Sequence, residues 1–430
     1  MRKWGTPPAY WSTQVLGYAL LVLGILFQRL DLALLGMPLL LAILMVPSLA
    51  PRRITSGEFQ AAQPAKSSSI TAGNTGYPLT IASTPGADTT QIRAFAPGHR
   101  PTTLVTNRSE IELFHDSKRT GPQPTFTVQG RSYSAFDVLV EEPWVAQGKD
   151  LLGLPTASPL SQLPAPNRLR GLTGARNSRR IGDGGELRDI ATMRPGDSLR
   201  RVDWRATGRR SPELEQLYVR RTFSHAEGIA ELVIDSRDDV GPDLETWRGS
   251  GPQRVDEHTS LDYARHAALS VATGLLAAGD RVGMEDLAFQ RRPVAASSGQ
   301  RQLRRIQQAL ASAAPHGEPT EVVRPPRLPA DAVIYLFSTL LDDTPLTLVD
   351  GWIDQGNPVI VIDTLPQVKA GRNASLALAW RIITLEREYR VRVLASRGVP
   401  IIPWRQADST IPAGELAKVA RTQARARGRR

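Results

Sequence analysis

Two long apolar runs occupy the first fifty residues of the chain. Residues 11–27 and residues 32–50 contain no charged side chain, and each run could span ~30 Å of hydrocarbon at about 1.5 Å per residue. The few residues between them allow only a tight turn. The pattern therefore predicts a hairpin of two transmembrane helices within residues 1–53.

Two alternatives to this membrane hairpin stay open at this point. A cleaved signal peptide would need a small-residue cleavage site after the first run, where a second apolar run follows instead. A pair of buried helices in a soluble core would usually keep a polar face. If the hairpin spans a membrane, the basic flanks Arg2, Lys3, Arg52 and Arg53 predict that both termini and the soluble domains are cytoplasmic.

The pattern changes twice after the hairpin. Residues 54–166 alternate short apolar segments with Gly, Pro, Asn and Ser, which predicts an antiparallel β-sandwich. Residues 229–411 alternate apolar runs, such as 230–234, 332–337 and 359–362, with segments of helical spacing. Such runs are typical of parallel strands buried on both faces, so this part predicts a doubly wound α/β sheet. At the start of one of its helices, Thr259 and Asp262 have the spacing of a capping box.

The net charge of +11 is concentrated in two stretches. Residues 168–221 carry 14 arginines and seven acids, and residues 418–430 carry six basic residues and no acid. The rest of the chain is slightly acidic. We expect residues 167–228 to form a connector and residues 412–430 a frayed basic tail.

Catalytic and cofactor signals are weak. The chain has no cysteine, which excludes disulfides, thiolate metal sites and thiol nucleophiles. It lacks the P-loop, dinucleotide-binding, zinc-protease and serine-hydrolase motifs. The acidic pair Asp342–Asp343 is most simply a solvated loop. The sequence therefore predicts a protein that is not an enzyme and needs no cofactor.

One segment within the connector is unusual, and residues 182–205 are called the signature segment below. Arg194, Pro195, Gly196 and Asp197 suit a type II turn, which needs positive φ at its third position. An extended strand after the turn would place Arg200, Val202 and Trp204 on one face. The segment is either an arginine–carboxylate network that orders the connector or a docking or anion-binding surface.

The signature segment resembles that of the bacterial family catalogued as domain of unknown function 58. The family signature has Gly-Gly-Glu followed by an arginine, then Arg-Pro-Gly-Asp, then Arg-x-x-Asp-Trp-Arg/Lys. The residues that carry it here are Gly185, Glu186, Arg188, Arg194, Pro195, Gly196, Asp197, Arg200, Asp203, Trp204 and Arg205.

The resemblance implies two membrane spans, a β-sandwich and a von Willebrand factor A-like domain. It implies a membrane-anchored adaptor that acts through protein–protein interaction, with a MoxR-type AAA+ ATPase or another A-domain protein as partner. The alternative function is an arginine-rich module that binds an anionic membrane surface or nucleic acid.

The resemblance also implies a Mg²⁺ site, whose usual ligands begin with Asp-x-Ser-x-Ser after the first strand. Here Arg237 replaces the first serine, and its charge would repel a cation. Thr339 stands where an aspartate is usual. We therefore expect a degenerate site without metal, in which Asp235 and Asp239 pair with Arg237.

A last expectation concerns the role of the signature segment between the two domains. If it is a structural clasp, Trp204 should be buried as its anchor. Arg200 should then pair with a carboxylate such as Asp203 or Glu186.

Overall fold

The computed structural model describes most of the chain in separate stretches. They are residues 4–49, 56–59, 73–82, 87–123, 126–134, 139–148, 151–160, 162–164, 176–226, 228–249, 255–288, 292–315, 326–330, 332–369, 373–404 and 410–428. The chain divides into two compact units. The first comprises residues 1–117 and 123–151, and the second comprises residues 118–122 and 152–430. The predicted connector and the predicted tail both fall in the second unit.

The first unit begins with two packed helices, α1 (Pro8–Leu26) and α2 (Leu30–Leu49). Glycines let the helices approach closely, since a Cβ atom on Gly24 would lie 2.5 Å from the Ala33 nitrogen. The buried Gln14 side chain donates a hydrogen bond of 2.7 Å from Nε2 to the Leu39 carbonyl. The contact between these helices therefore includes a polar bond as well as glycine packing.

The prediction that these helices cross a membrane is wrong. Among the helices of the described residues, none combines the length and the apolar character that a membrane crossing requires. The uninterrupted apolar part of α1 covers only residues 15–26, about 18 Å at about 1.5 Å per residue, against ~30 Å of hydrocarbon. α2 carries Asp31 in its first turn. The predicted two-span, multi-pass location with cytoplasmic termini is corrected accordingly. Its charged flanks, Arg2, Lys3, Arg52 and Arg53, lie outside the described residues.

The strands of the first unit form two antiparallel sheets. They are β1 (Trp4–Gly5), β2 (Ser56–Phe59), β3 (Gly73–Ala82), β4 (Ala87–Phe95), β5 (Thr102–Thr106), β6 (Glu110–Ser117), β8 (Thr127–Ser134), β9 (Val140–Glu141) and β10 (Trp144–Gln147). One sheet has the order β1-β9-β8-β4-β5, with β10 also on β8, and the other has the order β2-β3-β6. A further strand, β7 (Gly121–Gln123), pairs with β11 (Leu151–Gly153), and most residues of this pair belong to the second unit.

A single core joins the two sheets. Leu79 and Ile81 of β3 pack with Ile92 of β4 and with Trp144 of β10. The Trp144 ring lies against Gly130 so closely that a Cβ atom there would come within 1.9 Å of it. Two antiparallel sheets with a shared core form the sandwich that the turn-rich pattern predicts.

The second unit contains a six-stranded sheet with helices on both faces. Its strands are β14 (Ile229–Ile234), β15 (Arg281–Asp286), β16 (Val294–Ser297), β17 (Val333–Ser338), β18 (Val359–Asp363) and β19 (Ile401–Pro403). The order is β16-β15-β14-β17-β18-β19, and every pair is parallel except β15 with β16. The chain therefore reverses its winding direction between β14 and β17, where open α/β sheets usually bind ligands.

Five helices cover this sheet: α4 (Ser260–Ala277), α5 (Gln300–Ser312), α6 (Thr344–Asp354), α7 (Ala374–Ser396) and α8 (Thr410–Gly428). Side chains of α4 and α5 share one core with the sheet, and side chains of α6 and α7 share the other. The predicted capping box of Thr259 and Asp262 is present at the start of α4. The predicted frayed tail is instead α8, because Leu416 and Val419 pack on the core.

A long ribbon precedes the sheet. β12 (Arg176–Thr192) pairs antiparallel with β13 (Tyr218–Ala226), and the register places both Gly182 and Leu187 opposite Thr222. The residues between Gly182 and Leu187 therefore form a bulge in β12. A 3₁₀ turn (Leu199–Arg201) and α3 (Trp204–Arg210) connect the two strands. The ribbon and its connection together carry the signature segment.

Candidate functional site

The first candidate site lies at the carboxyl ends of β14 and β17, where the winding of the sheet reverses. Asp235, Arg237 and Asp238 follow β14, while Ser338 ends β17 and Asp342 follows it. Parallel neighbours end at the same edge of a sheet, so the topology brings these two loops together.

Arg237 fills the space between the two loops. Its Nε and Nη2 atoms donate to the two carboxylate oxygens of Asp235 at 2.8 and 2.9 Å. Nη1 and Nη2 donate to Asp342 at 2.6 and 3.0 Å, and Nη1 also reaches Thr344 Oγ1 at 2.9 Å. Ser338 Oγ donates to Asp235 Oδ2 at 2.9 Å. The guanidinium thus bridges carboxylates from both loops in a planar, forked geometry that suits arginine.

Neighbouring carboxylates shift the pKa values of both Arg237 and Asp238. Burial by itself would lower the pKa of Arg237, but hydrogen bonds to Asp235 and Asp342 raise it above its usual value. Burial and the neighbouring Asp235 carboxylate raise the pKa of Asp238 to about 7. Arg237 is therefore a fixed positive charge at the point where two parallel strands end.

A divalent cation does not fit this arrangement. A metal between Asp235 and Asp342 would have to displace the Arg237 guanidinium, which already uses both carboxylates. Within the described residues, no group of three or more His, Cys, Asp or Glu side chains has a metal-binding geometry. The positive charge at the centre therefore opposes the hard oxygen coordination that Mg²⁺ requires.

Asp239 has a partner that the sequence did not predict. Its carboxylate pairs with Arg119 at 2.7 Å, and the same guanidinium pairs with Asp262 at 2.7 Å. Asp262 also accepts from Thr120 Oγ1 at 2.7 Å and from Arg265 Nη1 at 3.3 Å. Burial alone would raise the pKa of Asp262, but Arg119 and Arg265 lower it below its usual value. The expected pairing of Arg237 with Asp235 is present, whereas the Asp239 carboxylate is held by Arg119.

A serine and a histidine meet elsewhere in the second unit without forming a nucleophile–base pair. His266 Nε2 lies 3.0 Å from Ser158 Oγ, and His266 Nδ1 lies 3.1 Å from Trp404 Nε1. Since an indole nitrogen can only donate, Nδ1 is the acceptor and the proton of the neutral ring sits on Nε2. Burial lowers the pKa of His266, which favours this neutral form. In this tautomer His266 donates to Ser158 and cannot take its proton.

The second candidate site is the signature segment, whose turn matches the prediction. The Asp197 nitrogen donates to the Arg194 carbonyl at 3.0 Å, and Gly196 has φ 98°, as a type II turn requires. Asp197 Oδ2 accepts from the Arg194 nitrogen at 2.9 Å and from Arg221 Nη2 at 3.3 Å. These bonds, the one from Arg194 first, lower the pKa of Asp197. The carboxylate thus ties the turn to β13.

Beyond the turn the predicted extended strand is wrong. Asp203 caps α3 instead, because its Oδ1 accepts from the Ala206 nitrogen at 2.9 Å. Its Oδ2 accepts from Arg220 Nε at 2.8 Å, and the two bonds, the Ala206 bond first, lower its pKa. Asp203 therefore pairs with Arg220 and not with Arg200. Gly185 lies in β12. The side chains of Arg188 and of Glu186, the other expected partner of Arg200, lie outside what the structure describes.

Trp204 is not the buried anchor that a clasp needs. Its side chain is 66% exposed, and the neighbouring Leu199 is 67% exposed. Arg200 and Arg205 are exposed as well. Beside the turn lies a cavity of about 520 Å³, whose lining includes Met193, Arg194, Glu215 and Leu217. The signature segment therefore presents apolar side chains and arginines to solvent from a backbone that Asp197 and Asp203 hold in place.

Sequence reasoning missed the partners that hold both candidate sites together. Asp342, read as a solvated loop residue, is the second carboxylate of the Arg237 cluster. Arg220 pairs with Asp203 and Arg221 with Asp197, while Arg119 pairs with both Asp239 and Asp262. The only available signal for Asp342 was its position just after a predicted strand beside β14.

Comparison with known proteins adds no assignment. No family model, no curated protein and no solved structure matches this chain.

Proposed function

We propose that this chain is a non-enzymatic adaptor that binds a protein partner through the signature segment. The observation that carries this proposal is the exposure of Trp204 on a backbone fixed by two aspartates. The resemblance in sequence supports a MoxR-type AAA+ ATPase as the partner. The docking surface is defined here as the turn Arg194–Asp197 together with Leu199, Arg200, Trp204 and Arg205.

The residue types on this surface support binding. Tryptophan and arginine are over-represented among residues that dominate the energy of protein interfaces. A single exposed leucine would mean little, but Trp204 and Leu199 are exposed together and flanked by arginines. Apolar side chains ringed by polar ones are typical of an interaction surface.

The fixed backbone lowers the cost of binding. Asp203 joins α3 to β13 through Arg220, and Asp197 joins the turn to the same strand through Arg221. Segments that are already ordered lose less conformational freedom when they bind. The docking surface is therefore ready to bind without prior folding.

The charges of the surface indicate the chemistry of the partner. Arg194, Arg200, Arg205, Arg209 and Arg210 are exposed along this stretch. An apolar cleft with acidic side chains at its rim would accept Trp204 and pair with these guanidiniums.

The test is the affinity of the full chain for a purified MoxR-type AAA+ ATPase from the same organism. We expect Trp204→Ala to weaken binding by at least about 30-fold, about 2 kcal/mol, without changing the melting temperature. Trp11→Ala is the matched control, because it removes another exposed tryptophan, 58% exposed in α1. Equal effects of the two substitutions on binding would contradict the proposal.

Salt dependence separates the proposed function from its alternative. Binding through a packed apolar surface should weaken only modestly as salt rises. If the chain instead binds nucleic acid or anionic vesicles, affinity should fall by orders of magnitude between low and physiological salt. Tight, steeply salt-dependent binding to duplex DNA or to phosphatidylserine vesicles, with none to the ATPase, would overturn the proposal.

A further inference from the structure

Helix α7 (Ala374–Ser396) carries a row of exposed apolar side chains. Their spacing is four, three and four residues, and they are called the α7 stripe: Leu378 (61% exposed), Ile382 (52%), Leu385 (56%) and Tyr389 (62%). At about 100° per residue these positions fall within about 60° of one another on the helix surface. The stripe is therefore one continuous seam.

The opposite face of α7 is already buried against its own sheet. Arg387, Arg390 and Leu394 are its buried residues. Arg387 pairs with Asp363 at 2.5 Å and donates from Nε to the Thr339 carbonyl at 2.9 Å. Since one face of α7 is already buried, the exposed apolar side chains on its other face are expected to be covered as well. One face is covered by its own sheet, whereas among the described residues of this unit the α7 stripe is exposed.

The spacing of the stripe specifies a helical partner. Apolar residues that alternate by four and three correspond to the a and d positions of a heptad, with Leu378 and Leu385 at d and Ile382 and Tyr389 at a. Leucine at d and a β-branched residue at a favour two parallel strands. The seam thus has the pattern of one helix of a parallel two-helix contact.

The charges beside the seam match a second copy of the same helix. In this heptad Arg381 is at g and Glu386 at e, and both are exposed. In a parallel pair, g of one helix faces the e position five residues later on the other helix. Arg381 of one copy would therefore face Glu386 of the other, and two-fold symmetry makes the pairing twice. Glu386 also lies 3.7 Å from the buried Arg390 of its own helix, whose Nε already donates to Asp343 at 2.5 Å.

We propose that a second copy of this chain binds along the α7 stripe as a parallel, two-fold symmetric helix pair. The interface is isologous, because each copy offers the same four apolar side chains and the same two charges. A seam of this length covers less area than a standard interface of about 1,600 Å². The association is consequently expected to depend on protein concentration rather than to be permanent.

The experiment is sedimentation equilibrium of the full chain over a range of concentrations. We expect a monomer–dimer equilibrium in which Ile382→Glu raises the dissociation constant at least about tenfold, because it puts a charge into an apolar seam. The matched control is Val105→Glu at a residue 60% exposed on β5, which should change nothing. A chain that is monomeric at every concentration would overturn the proposal, and so would equal effects of the two substitutions.

Charge exchange tests the parallel geometry independently of the apolar seam. Arg381→Glu and Glu386→Arg should each weaken the dimer by about two- to fivefold, because each places like charges opposite one another. The double exchange should restore the wild-type dissociation constant, since the pairs are again opposite in sign. Self-association through another surface would leave all three variants at the wild-type value, and that result would contradict the proposal.

Discussion

Arg237 and Asp235 are joined by two hydrogen bonds, from Nε and Nη2 to the two carboxylate oxygens. Both side chains are nearly inaccessible, with 4% and 3% of their surface exposed. They stand where the sheet changes its winding direction, the usual position of a ligand in an open α/β fold. An internal cation thus occupies the ligand position of this sheet.

Removing Arg237 should be far more costly than removing its exposed partner. Arg237→Gln leaves the Asp235 carboxylate buried and without its arginine, which should lower the free energy of unfolding by about 3–5 kcal/mol. The site of Asp342 is open to water, since this side chain is 47% exposed. When Asp342 is replaced, water can reach the Arg237 guanidinium, which keeps its two bonds to Asp235. Asp342→Ala should therefore cost under about 1 kcal/mol. Urea unfolding of the full chain measures both, and equal losses would contradict the cluster as described.

Divalent cations should leave this protein unaffected. Because the Arg237 guanidinium uses the carboxylates of Asp235 and Asp342, millimolar Mg²⁺ or Mn²⁺ should not shift the melting temperature. A site whose dissociation constant is about a hundredfold below the applied metal concentration would add about 2.7 kcal/mol of stability. Thermal melts with and without EDTA measure this. An upward shift with Mg²⁺ that Asp235→Ala abolishes would show that the degenerate-site prediction is wrong.

The buried Glu231 predicts a loss of stability as the pH rises from about 4.5 to about 8. Glu231 of β14 lies against Gly283, where a Cβ atom would come within 2.2 Å of its carboxylate. Burial, with a smaller effect from Glu285, raises the pKa of Glu231 to about 8. Between about pH 4.5 and about pH 8 the folded chain therefore keeps a proton on Glu231, whereas the unfolded chain has released it. The stabilising effect is complete below about pH 4.5 and is lost as the pH rises to about 8.

Glu231→Gln should remove this pH dependence, because the amide is uncharged and has the same shape. The variant should be more stable than the wild type at about pH 9 and close to it at about pH 5, with each pKa unit worth about 1.4 kcal/mol. Melting temperatures across that range measure the effect, with Glu245→Gln at an exposed glutamate as the control. Parallel pH profiles for the wild type and Glu231→Gln would contradict the assignment.

The features that the sequence predicts well depend on neighbours in the chain. The Thr259–Asp262 capping box joins residues three positions apart, and the Arg194–Asp197 turn needs only proline and glycine in the right order. Both occur as predicted. Apolar runs that alternate with segments of helical spacing likewise predict the sheet of the second unit. Parallel strands that are buried on both faces need such continuous apolar runs.

The features that it predicts poorly depend on distant partners or on competing local signals. Asp342 is 105 positions from Arg237, and Arg119 is 120 positions from Asp239, so no local pattern indicates either pairing. Around Trp204 the alternation of side chains favoured a strand. Asp203 instead caps a helix, because its carboxylate accepts from the Ala206 nitrogen, and α3 forms there. The span predicted in α1 failed because the run of residues 11–27 includes Ser12, Thr13 and Gln14, which leave residues 15–26 as its continuous apolar part.

The central claim is that the signature segment is the surface that binds the partner. Hydrogen–deuterium exchange of the full chain, with and without a saturating amount of the MoxR-type ATPase, tests it most directly. The expected result is slower exchange in peptides that cover residues 194–210, and unchanged exchange in β14, whose backbone is paired on both sides. Protection elsewhere with residues 194–210 unchanged, or no protection at any ATPase concentration, would contradict the claim.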